Sequence, residues 1–152
     1  MLSKGILRLV ASGLIGLLVL LGGCGGGDET TSLTKAEFVK VANAVCKRHN
    51  EQREQKIAAA VAGFDQKTEE LSAAEKEDLI LEISAPYEKA TAELKALDAP
   101  EGDQEKIGSI IKAMEEASQE VKENPKAAIT TTSMYDKANK LIDDYGLTDC
   151  RR

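Results

Sequence analysis

The sequence predicts an all-α fold: an antiparallel up-down four-helix bundle closed by a disulfide, preceded by a signal helix and a Gly-rich tether. Two observations carry that prediction. Alanine, lysine, glutamate and leucine dominate the chain beyond its first glycine-rich stretch, a composition that favours helix. Apolar residues then recur at steps of three and four in four successive segments with short connections, the pattern of helices packed up-down-up-down.

The first helix starts at Thr34, with Glu37 three residues on completing a capping box. Its stripe runs Phe38, Ala42, Val45, Cys46, His49, Arg53, Ile57, Ala60, Phe64. Ser72 and Glu75 repeat the box before the second helix, whose Ile80, Ile83, Tyr87, Ala90, Leu94 and Leu97 keep strict spacing. Pro86 lies inside that stripe and removes one backbone donor, which predicts a kink. Pro100 and Gly102 end the segment, and Asp103 is placed to cap a third helix carrying Ile107, Ile110, Ile111, Met114, Ala117 and Val121. Asn124-Pro125 marks a stop and a restart. The fourth helix is expected as one element from Lys126 to Tyr145, ended by Gly146, with Thr130-Thr131-Thr132-Ser133 its weakest stretch.

The N-terminus carries a different signal. Lys4 and Arg8 precede an apolar run from Leu9 to Leu21, then Gly22, Gly23 and Cys24. A basic start, a short apolar stretch and small residues before a cut site are the layout of a secretory signal peptide. The run is shorter than the roughly 20 apolar residues of a membrane span. Leu21-Gly22-Gly23-Cys24 resembles the lipobox of bacterial lipoproteins, which implies acylation of Cys24 and a new N-terminus there. An uncleaved anchor and an ordinary cleaved signal are the competing interpretations. The expected divisions are 1–23 as signal peptide, 24–33 as lipidated cysteine and tether, and 34–152 as the helical domain.

Removing residues 1–23 leaves 129 residues, enough for one modest core. The whole chain has 20 basic and 26 acidic residues, a net charge of −6, and the loss of Lys4 and Arg8 takes the mature balance to −8. That acidity argues against nucleic acid as a partner. With no tryptophan, two phenylalanines and three tyrosines, the chain is also poorly equipped to stack sugars or bases. An acylated Cys24 leaves Cys46 and Cys150 as a pair in an oxidising compartment, where a disulfide is the default and a reactive Cys46 thiol the alternative. On the expected lengths, about 27 Å from Cys46 to Phe64 and about 30 Å for the fourth helix, an antiparallel return brings Cys150 beside Cys46.

Few constellations carry chemistry. Cys46 and His49 have a metal-chelating spacing, but His49 is the only histidine and no Glu-x-x-His pair occurs, so no metal or cofactor is expected. A buried, hydrogen-bonded core histidine is the simpler expectation. There is no Gly-x-Ser-x-Gly elbow and no phosphate loop, and pairs such as Glu115-Glu116 and Asp143-Asp144 suit a solvated face. His49, Tyr87 and Tyr145, with Tyr135, are the candidates to line a small amphipathic pocket, core aromatics with polar tips at the rim being the simpler expectation. Arg151 and Arg152 are expected near Lys35, toward anionic headgroups, or in a loose tail.

The segment Leu33-Thr34-Lys35-Ala36-Glu37-Phe38, Cys46, the turn Ala99-Pro100-Glu101-Gly102-Asp103 and the ending Tyr145-Gly146-Leu147-Thr148-Asp149-Cys150 together span nearly all of the mature chain. In these the chain resembles a group of small lipoproteins of high-GC Gram-positive bacteria with no assigned activity. The resemblance implies membrane anchoring and a Cys46–Cys150 bridge, and it carries over no biochemical activity. His49 and the Arg151-Arg152 pair lie outside the shared pattern. The expected function is a non-enzymatic interaction or structural module on the outer face of the plasma membrane, with an envelope protein as partner. The alternative is a ligand-binding or sensing module with a cleft near His49 and Tyr145.

Overall fold

Two reciprocal caps set the first half of the fold. A computed structural model describes residues 33–64 and 70–152; the signal segment, Cys24, the tether to residue 32 and the Phe64 side chain lie outside the described residues. Helix α1 (Lys35–Phe64) opens with the Glu37 amide donating to the Thr34 hydroxyl at 3.3 Å, while Glu37 Oε2 accepts from the Thr34 amide at 2.9 Å. Ser72 and Glu75 make the same exchange at the start of α2 (Ala73–Lys95), which runs unbroken through a buried Pro86. Each box satisfies two backbone donors that the first turn leaves open.

Helix α3 (Gln104–Glu123) starts differently from expectation. Asp103 holds the N-cap position, but its side chain makes no capping bond. Its carboxylate accepts instead from Lys106 Nζ at 2.7 Å and from the Tyr145 hydroxyl at 2.9 Å. A cation and a phenol are better donors than a helix amide, so the tertiary contact displaces the local one.

The expected single helix from Lys126 to Tyr145 is broken. In its place stand α4 (Pro125–Ala128), a 3-10 turn (Ser133–Tyr135) and α5 (Asp136–Tyr145). The cause is the threonine run. Thr130 Oγ1 donates to the Ala127 carbonyl at 3.1 Å, and Thr131 Oγ1 accepts from the Ser133 amide at 3.1 Å. Hydroxyls that bond nearby backbone offer the chain an alternative to the helical ladder, and β-branching adds a rotamer cost to it.

Cross-helix pairs give the register. Arg48 and His49 reach Glu93 while Lys56 reaches Glu82, so α1 and α2 run in opposite directions. Lys95 meets Glu115 and Glu88 meets Lys122, which reverses α3 against α2. Lys137 meets Glu116 and Tyr145 meets Asp103, which reverses α5 against α3. The core between them is built from Phe38, Ala42, Val45 and Cys46 of α1, Tyr87, Ala90 and Leu94 of α2, the isoleucine-rich face of α3, and Ala138, Ile142 and Tyr145 of α5. Met134, Leu147 and Cys150 close it.

The path to the disulfide also differs from expectation. With α5 only ten residues long, its end lies level with the start of α1, where the Tyr145 and Phe38 rings pack edge to face at 6.2 Å. Gly146 then takes a left-handed conformation (φ 95°), and the chain turns back. A second 3-10 turn (Thr148–Cys150) packs along α1, and Cys150 bonds Cys46 with Cα atoms 4.9 Å apart. The bridge spans 104 residues. Arg152 therefore ends beside Asn50 rather than beside Lys35, about 22 Å along α1 at 1.5 Å per residue. Neither tail arginine is loose: Arg151 faces Asp143 at 3.4 Å.

The core occupies only part of the length. Among the described residues, no position of α1 beyond His49 and none of α2 before Pro86 is buried. Ile57 and Ala60 of the predicted stripe are half-buried only. The outer halves of α1 and α2 thus form a two-helix arm that the shortened α5 does not reach, flanked only at its base, where α4 packs on α2 and Ile80 meets the edge of the core. Replacing both bridge cysteines, Cys46→Ser with Cys150→Ser, is expected to cost about 2–5 kcal/mol, read as a lower urea midpoint by circular dichroism.

Candidate functional site

His49 is three per cent exposed, and both ring nitrogens have partners. Nε2 stands 2.7 Å from Glu93 Oε1, and Nδ1 faces Gln52 Oε1 at 3.1 Å. Arg48 joins the same carboxylate. The hydrogen bond from His49, with that from Arg48 and the charge of both, holds the Glu93 carboxyl below its ordinary range. This cluster fastens α1 to α2, and it offers no free ring nitrogen to a ligand. Among the described residues no group of three or more His, Cys, Asp or Glu side chains is arranged to hold a metal.

Tyr145 sits at the opposite end of the buried stripe. Its hydroxyl donates to Asp103, its ring takes Phe38 on an edge, and Lys35 Nζ lies 4.4 Å from its centroid. Burial first, then the Asp103 carboxylate, push the phenol up to about 12. It lines a shallow cleft of about 250 Å³ between α3 and α5, together with Lys106, Ser109, Ile110 and Leu141. From Phe38, at the level of Tyr145, α1 rises about 16 Å to His49. The two residues expected to share one cleft therefore occupy separate levels of the domain.

Tyr87 belongs to a third locality. It is two per cent exposed, and its hydroxyl has no hydrogen-bond partner. Burial pushes that phenol well above its usual range. Its ring meets Tyr135 edge on at 5.3 Å and carries the Arg152 guanidinium 4.9 Å from its centroid.

Three asparagines organise this locality, and the sequence pattern did not single them out. Asn43 Nδ2 donates to the Gly146 carbonyl and its Oδ1 accepts from the Asp149 amide, both at 3.1 Å. Asn50 Nδ2 donates to the Asp149 carbonyl at 2.6 Å, and its Oδ1 accepts from the Arg152 guanidinium. Asn139 closes on the other side, its Oδ1 accepting from the Arg152 amide at 2.8 Å and its amide donating to the Arg152 carbonyl. An available signal was spacing: Asn43 and Asn50 flank Cys46 by three and four residues on one helical face. Their clasp shapes a cavity of about 300 Å³ whose walls include Arg53, Tyr135 and Arg152.

The clasp and the α1–α2 cluster each make a measurable claim. Asn43→Ala removes two hydrogen bonds to the tail backbone and is expected to cost about 2 kcal/mol, at roughly 1 kcal/mol each, in urea unfolding. Glu93→Gln tests the α1–α2 cluster. A carboxylate held below its ordinary value of 4.5 stabilises the fold above that value and loses the contribution as pH falls through its folded value. The variant should therefore melt below the parent at pH 7, with the gap closing as both are acidified below the ordinary value of 4.5.

Set against family models, curated proteins and solved structures, the chain matches none of them, so the role of each residue rests on its own geometry.

Proposed function

We propose that this chain is a cell-envelope lipoprotein, held on the outer face of the plasma membrane through acylated Cys24, whose up-down four-helix bundle is a non-enzymatic interaction module. The carrying observation is the Cys46–Cys150 disulfide. It suits an oxidising compartment, and it leaves Cys24 as the one remaining cysteine of three. That cysteine follows Leu21-Gly22-Gly23 behind a short basic and apolar start, where lipid attachment is the coherent use for it. The opposed registers of α1 with α2, α2 with α3 and α3 with α5 favour the up-down arrangement.

An interaction role gains support from the two-helix arm. It extends α1 by about 22 Å and α2 by about 20 Å without a buried residue among those described, and it leaves Val61 and Leu81 exposed. A partner envelope protein is the kind of surface such an arm suits. The second reading, a ligand-binding module near His49 and Tyr145, draws support only on the Tyr145 side, from the cleft between α3 and α5.

Intact mass of protein extracted from membranes tests the anchor. The expected species starts at an acylated Cys24, and Cys24→Ala should release the chain from the membrane fraction. A chain beginning at unmodified Met1 in that fraction would contradict the proposal.

A further inference from the structure

The cavity beside the C-terminal tail concentrates positive charge on an acidic protein. The chain carries −6 overall, yet this space of about 300 Å³ is lined by Arg53, Arg151 and Arg152 against a single acidic side chain, Glu54. Arg151 is engaged by Asp143. Arg53 and Arg152 have no carboxylate partner among the described residues. Arg152 is also fixed: its guanidinium lies over the Tyr87 ring and bonds Asn50, and its backbone bonds to Asn139. Burial, and then the charge of Arg53, push its pKa down to about 10. Two guanidinium groups that line one cavity repel each other, a cost in the empty protein that an anion between them would remove.

We propose that this cavity is a binding site for a small phosphorylated polyol, its phosphate held between Arg53 and Arg152. Donor number selects phosphate over carboxylate. Beside the two forked guanidinium groups, Ser84, Thr132 and Tyr135 are among the lining residues, and their hydroxyls take no partner among the described residues. That set exceeds what two carboxylate oxygens accept and suits a group with three or more. Volume argues for an organic part. At about 30 Å³ per water the space holds about ten waters, and it sits at the low end of ligand pockets. Ile80 and Ile83 supply an apolar wall for a carbon chain. Glu54, exposed at the edge, repels a second anion and accepts from a ligand hydroxyl instead.

A free polyol phosphate and a phospholipid headgroup share this chemistry, and calorimetry on the full chain separates them. Inorganic phosphate and glycerol 3-phosphate are titrated in detergent, and nanodiscs of phosphatidylglycerol are compared with phosphatidylcholine. Saturable binding of glycerol 3-phosphate assigns a free ligand; binding to phosphatidylglycerol nanodiscs alone assigns a headgroup. In either case Arg53→Gln should weaken binding about tenfold or more. Arg53 is half-exposed, and relief of repulsion should raise the thermal midpoint of the ligand-free variant, a change opposite to that of a structural defect. Arg152→Lys keeps the charge but loses the fork and should also weaken binding. No saturable binding to any of these probes, or binding unchanged in both variants, would overturn the proposal. These results are independent of whether Cys24 carries a lipid.

Discussion

The fold depends on one clasp: the C-terminal tail laid against α1 by a disulfide with an asparagine on either side. Asn43, Cys46 and Asn50 occupy one face of α1, and each holds a different point of the segment Gly146–Arg152. A covalent bond alone would fix one pair of Cα atoms and leave the tail free to rotate about it. The asparagines remove that freedom by satisfying backbone groups of an irregular segment that has no ladder of its own. A loop of about 100 residues closed in this way gives up roughly 4.7 kcal/mol of unfolded-state entropy in the chain-entropy model. For a domain with five aromatic residues in the whole chain, that is a large share of a net stability of about 5–15 kcal/mol.

The clasp in turn answers a problem made by the threonine run. A continuous fourth helix would have carried Cys150 to its partner directly. Because Thr130 and Thr131 divert backbone bonds to their own hydroxyls, α5 starts late, at Asp136, and its far end passes the level of Cys46 to meet Phe38. The left-handed Gly146 then reverses the chain, and Leu147, one per cent exposed, fills the corner. Local hydroxyl chemistry, a shortened helix and a glycine turn are thus successive parts of one path. Its final residue, Arg152, comes to rest against Tyr87 and completes the wall of the cavity beside Arg53.

Much of this was legible in the sequence, and the exceptions share a cause. Both capping boxes, the stripes of α2 and α3, the stop at Asn124-Pro125 and the terminating Gly146 are local features, encoded within a few residues. Cys46 and Cys150 were pairable by count. What escaped is non-local. Asp103 reads as a helix cap until Tyr145, 42 residues away, takes its carboxylate. His49 reads as a buried, hydrogen-bonded core histidine, as it is, but its partner Glu93 lies 44 residues away and is not legible beside it. Asn43 and Asn50 read as ordinary helix-surface amides, since nothing in their neighbourhood reveals the tail they hold. The predicted α1 stripe was right in period but too long in extent, because the length of the buried part is set by α5 and not by α1.

That excess length gives α1 a mechanical character. Its 30 residues make a rod of about 45 Å, which enters the domain beside residue 33, is gripped by the core over its first half and is braced mainly by α2 over its second. Force or binding at the far tip acts through the whole span before it reaches the clasped base. Opening should be graded along the rod, easiest at the tip and hardest at the disulfide, because local stability follows buried contact. Seen this way, the molecule is a post set in a socket: the base supplies cooperativity, and the tip supplies reach.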